Sequence, residues 1–236
     1  MTPADSGARL GVVALVLAGL SFASFPILRP WHDETTQAGA IAAFGSGAWV
    51  AAHLLGALGF VLVPLGLVAV TCLISAAGPR RLARTGAVLT SLGAGLLLPY
   101  FGAETFGLNA IARDAIARDA IARAAANGAS LDVVALAEGV RLGAAAVTTF
   151  GLGLLAVAVG GVMAAVAIAR SGDLPRHAGT LFAVGIAIYL PQFFTPPWVR
   201  ITHGLLLGLG LLVLAAATWN TANRRRAVTD GDAASA

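Results

Sequence analysis

The sequence contains no lysine, and all 15 of its basic residues are arginine. Without a lysine amine, retinal or pyridoxal Schiff bases and lysine nucleophiles are excluded. Cys72 is the single cysteine, which excludes an intramolecular disulfide and a cysteine-based zinc or iron–sulfur site. Charged residues make up 11% of the 236 residues, less than half of the about 25% typical of soluble domains. This scarcity excludes a soluble enzyme, a disordered tail and a disulfide scaffold.

Apolar residues, in contrast to charged residues, are abundant in the chain. They make up 58% of the chain, and the mean hydropathy is +0.86. The sequence pI near 10.5 would suit a nucleic-acid partner. However, the arginines are divided among several short loops and do not gather on one face, so we expect no nucleic-acid binding. The composition is typical of a helical membrane protein.

Long apolar runs predict the architecture. A membrane-spanning helix needs about 20 apolar residues, and several segments satisfy that length. The predicted spans are roughly 10–28, 48–76, 82–106, 142–169, 178–194 and 199–219. We therefore predict an all-α fold: a bundle of six transmembrane helices within a single integral membrane domain, 1–223. A helical connection, 107–141, joins the third and fourth spans outside the membrane, and 224–236 forms a cytoplasmic tail.

The distribution of arginine predicts the orientation. Nine arginines fall in one set of connections and six in the opposite set. Cytoplasmic loops carry the excess of arginine and lysine, so we place both termini in the cytoplasm. Arginine and alanine in place of lysine and isoleucine are typical of a GC-rich bacterial genome. The expected location is the bacterial cytoplasmic membrane, and the expected surroundings are the lipid bilayer.

The external connection contains a five-residue tandem repeat over 111–123, with the sequence IARDA IARDA IAR. Alanine and arginine favour helix. A period of five spreads the isoleucines around the helix, which predicts a solvated connecting helix and not a membrane anchor. The residues expected to form i,i+4 pairs or helix caps are Asp114–Arg118, Asp119–Arg123, Asn127, Gly128 and Ser130.

Small residues and one serine predict how the spans begin and pack. Ser46 is placed to cap the second span. Glycine lets helices approach closely in lipid. The glycines expected at such contacts are Gly56, Gly59, Gly93, Gly95, Gly204, Gly208 and Gly210.

Ionisable and polar residues collect at the predicted outer ends of the spans. Such residues are expensive in a membrane and commonly functional. The candidate site residues are His53, Tyr100, Glu104, Tyr189, Gln192, Arg200 and His203. Tyr100 and Glu104 share one helix face, as do Arg200 and His203. An Arg200–Glu104 ion pair is expected, because it would remove the cost of burying either charge alone.

Three interpretations of this cluster remain open. In the first, an outward-facing polar pocket binds or transforms a small or lipidic molecule from the outer leaflet. Glu104 and His53 would then be the catalytic residues, and Arg200, His203, Tyr100, Tyr189 and Gln192 would bind the ligand. A transporter would need a polar path through the inner half, which the sequence lacks.

In the second interpretation, His53 and His203 are axial ligands of a haem. With Glu104, they could instead form a two-histidine, one-carboxylate set for a metal ion. In the third, the protein is structural or binds a partner, and the polar residues only hold helices together. The sequence identifies no cofactor, substrate or oligomeric state, and it does not decide whether the protein is an enzyme.

Two segments carry a resemblance: 101–108 (FGAETFGL) and 189–204 (YLPQFFTPPWVRITHG). They resemble uncharacterised multi-pass integral membrane proteins of GC-rich bacteria. The resemblance covers most of the chain outside the repeat. It implies six membrane helices and no particular activity.

Overall fold

The computed structural model describes residues 3–125 and 131–234. Within those ranges the chain is helical and contains no β-strand. The α-helices are α1 (Pro3–Leu28), α2 (Gln37–Phe44), α3 (Gly47–Cys72), α4 (Ala77–Gly102), α5 (Leu108–Ala125), α6 (Val133–Leu142), α7 (Ala144–Ser171), α8 (Thr180–Ala187) and α9 (Pro197–Ala234). A π-helical turn, Ala103–Gly107, joins α4 to α5, and a 3-10 turn, Pro191–Phe194, precedes α9. The predicted all-α class is confirmed.

Five helical segments are long and apolar enough to cross a membrane. They are Gly7–Leu28, Gly47–Cys72, Ala77–Asp119, Ala144–Ser171 and Pro197–Val228. Large apolar side chains such as Leu10, Val88 and Leu155 are more than half exposed on these helices. In a membrane such side chains face lipid, so the segments together indicate an integral membrane protein.

The predicted fifth span, 178–194, is not one continuous helix. α8 has 8 residues and rises about 12 Å, well short of a bilayer core of about 30 Å. The chain then turns, and Pro191, which cannot donate a backbone hydrogen bond, begins the 3-10 turn. The structure therefore supports five spanning helices, and the count of six stays a prediction.

Glycine brings the spanning helices into backbone contact. A Cβ atom added at Gly93 of α4 would lie 2.6 Å from the carbonyl oxygen of Gly153 in α7. One added at Gly208 of α9 would lie 2.6 Å from the carbonyl oxygen of Gly19 in α1. Gly95 differs from the prediction, because no heavy atom lies within 4 Å of its Cβ position. Its side of α4 faces away from α7.

A polar clamp ties together three chain segments at one end of the bundle. Asp173 accepts hydrogen bonds from the backbone nitrogen of Ser75 at 2.8 Å and from its hydroxyl at 3.0 Å. Arg225 of α9 donates to Asp173 at 2.6 Å and to the carbonyl oxygen of Leu73 at 2.6 Å. The clamp joins the α3–α4 and α7–α8 connections to α9. We call this end of the bundle the clamp end.

Acid should weaken the clamp. Burial tends to raise the pKa of Asp173, but hydrogen bonds from Ser75 and the charge of Arg225 hold it below the ordinary value. A lowered folded-state pKa means that the unfolded chain binds the proton more readily. The clamp therefore stabilises the fold fully above about pH 4, and this stability is lost as the pH falls further.

Replacing Asp173 with asparagine tests this pH dependence. We expect Asp173→Asn to lower the free energy of unfolding by about 1 kcal/mol at neutral pH. The difference in the free energy of unfolding between wild type and variant should shrink as the pH falls below about 4. Denaturant unfolding of both proteins in detergent solution measures it. A difference that stays constant over that range would contradict an ionised Asp173 in the clamp.

Helices α2, α5 and α6 form a cap with its own small core at the other end of the bundle. Phe44, Trp49, Leu108 and Val133 are fully buried in this core. The predicted helix over the repeat is present as α5, and the Arg118 Nε–Asp114 Oδ2 pair is confirmed at 2.7 Å. The side chain of Arg123 and the predicted caps at Asn127, Gly128 and Ser130 lie outside the described residues.

The structure confirms one other predicted helix boundary and shifts two. The Ser46 cap is confirmed, since its hydroxyl accepts a hydrogen bond from the backbone nitrogen of Trp49 at 3.1 Å. The predicted end of the third span at 106 falls inside the π-turn, and the helix continues into α5. Similarly, α9 continues past 223, where a separate tail was expected to begin.

Candidate functional site: a cavity beneath the cap

The π-turn places Glu104 inside the protein. A π-helix is rare, occurs mostly as a single turn inserted into an α-helix, and is frequent at functional sites. Here it buries both Glu104 and Thr105. The indole nitrogen of Trp49, at the start of α3, donates to the Glu104 carbonyl oxygen at 2.7 Å. This bond ties the π-turn to the neighbouring helix.

Glu104 ends a chain of four alternating charges. Arg141 of α6 binds it through two hydrogen bonds, Nε–Oε1 at 2.6 Å and Nη2–Oε2 at 2.9 Å. Nη1 of Arg141 also contacts Glu34 at 3.0 Å, and Glu34 is paired with Arg29. We call Arg29, Glu34, Arg141 and Glu104 the charge ladder. It connects α1, the α1–α2 loop, α6 and the π-turn.

The predicted Arg200–Glu104 ion pair is wrong. Both carboxylate oxygens of Glu104 are occupied by Arg141. Arg200 donates instead from Nε to the side-chain oxygen of Gln192 at 3.3 Å. Its guanidinium lies 4.9 Å from the ring centroid of Trp31 and 5.0 Å from that of Phe193. Arg141, and not Arg200, binds the Glu104 carboxylate because α6 folds back over the bundle and presents the Arg141 guanidinium in a bidentate geometry.

Burial and pairing act in opposite directions on the two arginines of the ladder. Burial lowers the pKa of Arg29, and the nearby charge of Arg141 lowers it further, against the raising effect of Glu34. Burial also lowers the pKa of Arg141, but its hydrogen bonds and charge interactions with Glu104 and Glu34 raise it overall. Arg141 is therefore the firmly paired cation of the cluster.

His53 places one ring nitrogen without a hydrogen-bond partner beside the ladder. Its Nδ1 lies 2.8 Å from the Trp49 carbonyl oxygen. A carbonyl only accepts, so Nδ1 carries the proton, and Nε2 of the neutral ring is an acceptor. Nε2 lies 3.9 Å from Oε2 of Glu104. Among the described residues no fully buried side-chain nitrogen lacks a partner, so this unbonded Nε2 is accessible.

These side chains surround a cavity of about 550 Å³. This volume falls within the range of small-molecule sites. The charged and polar lining consists of Arg29, Glu34, His53, Tyr100, Glu104, Arg141 and Arg200. The apolar lining consists of Phe25, Phe101, Leu142, Val147, Phe150, Leu190, Phe193 and Phe194, with Gly151 among them. The cavity is thus polar towards the ladder and apolar towards α7 and the 3-10 turn.

The remaining predicted site residues lie in an adjoining crevice of about 10 Å³. Tyr189, Gln192 and His203 line it, and Arg200 borders both spaces. Nε2 of His203 lies 2.7 Å from the Gly185 carbonyl oxygen. Because a carbonyl oxygen only accepts, Nε2 donates this hydrogen bond. The crevice has room for about one water molecule.

The predicted metal ligands are not assembled into one set. His53 and Glu104 are neighbours, but His203 belongs to the crevice. Across residues 3–125 and 131–234, no group of three or more histidine, cysteine or acidic side chains is arranged to hold a metal ion. The donors present do not fit the two-histidine, one-carboxylate set, while the haem alternative stays a prediction.

Of the four residues of the charge ladder, Glu104 alone is among the candidate site residues predicted from the sequence. Arg141 appears in the sequence as one of several arginines in the connection predicted to be external, 37 positions from Glu104. Its position directly before the apolar run of α7 is the only local signal, and that position is equally typical of an interfacial residue. Arg29 and Glu34 carry a clearer signal, since both follow the end of the first apolar run.

Comparisons of the chain with protein-family models, curated proteins and solved structures give no match.

Proposed function

We propose that this integral membrane protein binds a small amphiphilic molecule in the cavity beneath its cap, and that the molecule enters from the outer leaflet. The division of the cavity lining carries the proposal. Ladder residues and Arg200 offer charge and hydrogen bonds on one side, while phenylalanine and aliphatic side chains cover the other. An amphiphile would match both sides, whereas a fully polar solute would leave the aromatic wall in contact with water.

The apolar wall also reaches the protein surface. Leu142 and Phe194 line the cavity, yet they are 69% and 85% exposed. Leu142 ends α6, directly before α7 begins, and Phe194 ends the 3-10 turn. Apolar side chains exposed beside spanning helices are expected to face lipid. A lateral mouth at this point would admit a lipid-like chain directly from the bilayer.

The site offers less support for catalysis than for binding. Both carboxylate oxygens of Glu104 are held by Arg141, so Glu104 would have to leave a bidentate salt bridge before it exchanged a proton. His53 keeps an accessible acceptor nitrogen and suits hydrogen bonding to a ligand. Binding is therefore the function that the geometry supports best.

Filling the cavity should abolish binding. Gly151 of α7 lines the cavity, and no heavy atom lies within 4 Å of its Cβ position. A phenylalanine there would project into open space without a backbone clash. We expect Gly151→Phe to remove saturable binding of radiolabelled laurate and lauryl alcohol to the protein in maltoside detergent, measured by equilibrium dialysis.

Gly95→Phe is the matched control. Gly95 of α4 also has open space at its Cβ position, but it is exposed and does not line the cavity. This variant should bind both probes like the wild type. The proposal is overturned if the wild type binds neither probe saturably. It is also overturned if the two variants bind the probes equally.

A further inference from the structure

The cavity lining carries one positive charge more than its own carboxylates balance. Three arginines line it, against the two carboxylates of Glu34 and Glu104. The ladder uses both carboxylates for Arg29 and Arg141. His53 adds no negative charge. Arg200 is therefore the one arginine of the cavity lining that is not paired with a carboxylate of the charge ladder.

Arg200 has only neutral neighbours in contact. Within the described parts of the chain, no carboxylate forms a salt bridge with it, and Nε is its one hydrogen-bonded nitrogen, bound to Gln192. The side chain is half-buried between the rings of Trp31 and Phe193. A partly buried charge without a counter-ion is costly. An anion arriving beside Arg200 would offset that cost.

The same guanidinium stands at the border of the apolar wall. Phe193, whose ring centroid lies 5.0 Å from the guanidinium carbon, also lines the cavity beside Phe150 and Phe194. A group bound at Arg200 would therefore carry its apolar part along these rings towards the lateral mouth. Glu104, which lines the same cavity, is already charge-balanced by Arg141.

We propose that the ligand is a single-chain amphiphile with an anionic oxygen group as its head, a carboxylate or a phosphate monoester, and that Arg200 binds this head. The inference rests on the proposed function and adds the chemical class of the ligand. A planar guanidinium binds either oxyanion through paired hydrogen bonds. A cationic head would meet an unbalanced positive charge, and a neutral head would leave Arg200 without a counter-ion.

Four probes that share one lauryl chain and differ in the polar head group test which head group the cavity prefers. The probes are laurate, lauryl phosphate, lauryl alcohol and lauryl trimethylammonium, each added to the protein in neutral maltoside detergent. We expect laurate or lauryl phosphate to bind at least about tenfold more tightly than lauryl alcohol, since a charge-assisted hydrogen bond is worth about 1.5–3 kcal/mol. Lauryl trimethylammonium should bind most weakly.

Substitution of Arg200 assigns the effect to one side chain. Arg200→Gln should weaken binding of the anionic probes by about tenfold to hundredfold and leave lauryl alcohol within about twofold. Unchanged alcohol binding also shows that the variant is folded. Arg200→Lys, which keeps the charge, should restore part of the loss. Arg176→Gln is the matched control, because it removes one exposed arginine from the connection between α7 and α8 and should change nothing.

The outcomes separate this inference from the proposed function. If all four probes fail to bind, the proposed function fails. If lauryl alcohol binds as tightly as the anions, or Arg200→Gln weakens all probes alike, the cavity binds amphiphiles but the anionic class is wrong. Inorganic phosphate and acetate identify the source of the anion: binding as tight as that of the lauryl probes would indicate a small free anion and overturn the single-chain class.

Discussion

Replacing Arg141 with leucine is expected to lower the free energy of unfolding by about 3–5 kcal/mol. The guanidinium holds both oxygens of Glu104, and Glu104 is only 7% exposed. Removing one partner of a buried ion pair leaves an uncompensated charge in a medium of low polarity, which costs far more than the pair itself contributes. Denaturant unfolding in detergent, followed by the loss of helical circular dichroism, measures the change.

Two comparisons isolate that cause. Adding Glu104→Gln to Arg141→Leu should return at least about 2 kcal/mol, because the stranded charge is then gone. Arg118→Leu removes the partner of Asp114 in α5, but that pair is about half exposed, so it should cost less than about 1 kcal/mol. If the double variant is no more stable than Arg141→Leu, the loss comes from packing and not from the stranded carboxylate.

A methyl group at Gly93 should be the second large effect. Gly93→Ala places a Cβ atom 2.6 Å from the Gly153 carbonyl oxygen and 2.8 Å from the backbone nitrogen of Val157. These are backbone atoms, so α7 itself must move. We expect a loss of about 1–3 kcal/mol in the free energy of unfolding, as is usual for an overpacked contact.

Gly95→Ala, on the same helix, should change the free energy of unfolding in the opposite direction. Its Cβ would meet no heavy atom within 4 Å, and alanine favours helix over glycine by about 0.5–1 kcal/mol. This variant should therefore be as stable as the wild type or slightly more stable. Equal destabilisation by the two substitutions would show that both glycines matter for helix flexibility and that the α4–α7 contact does not decide the outcome.

Sequence predicts the local features of this fold well, because each depends on neighbouring residues. Apolar run length predicts the spanning helices α1, α3, α4, α7 and α9, and the Ser46 cap and the Asp114–Arg118 pair follow from spacing. The segment 178–194 is the exception. Its hydropathy matches a span, but helix continuity depends on backbone turns around Pro191 that hydropathy does not report.

The candidate site is predictable in position but not in pairing. Sequence singles out His53, Tyr100, Glu104 and Arg200, and the structure places all of them around one cavity. Which charges pair depends on the return of α6 across the bundle, a tertiary arrangement with no trace in local spacing. Arg141 consequently takes the carboxylate that sequence assigns to Arg200. The accessibility of Arg200, on which the ligand class rests, follows from that exchange.

The π-turn has a consequence for how α4 and α5 share two hydrophobic cores. One extra residue in a helical turn offsets every later side chain by about 100° around the axis. The helical rod from Ala77 to Ala125 therefore carries two apolar stripes that are offset by this angle around its axis. One, including Leu97, packs in the bundle, and the other, including Leu108 and Ala112, packs in the cap. One continuous rod thus contributes one face to the bundle core and a different face to the cap core.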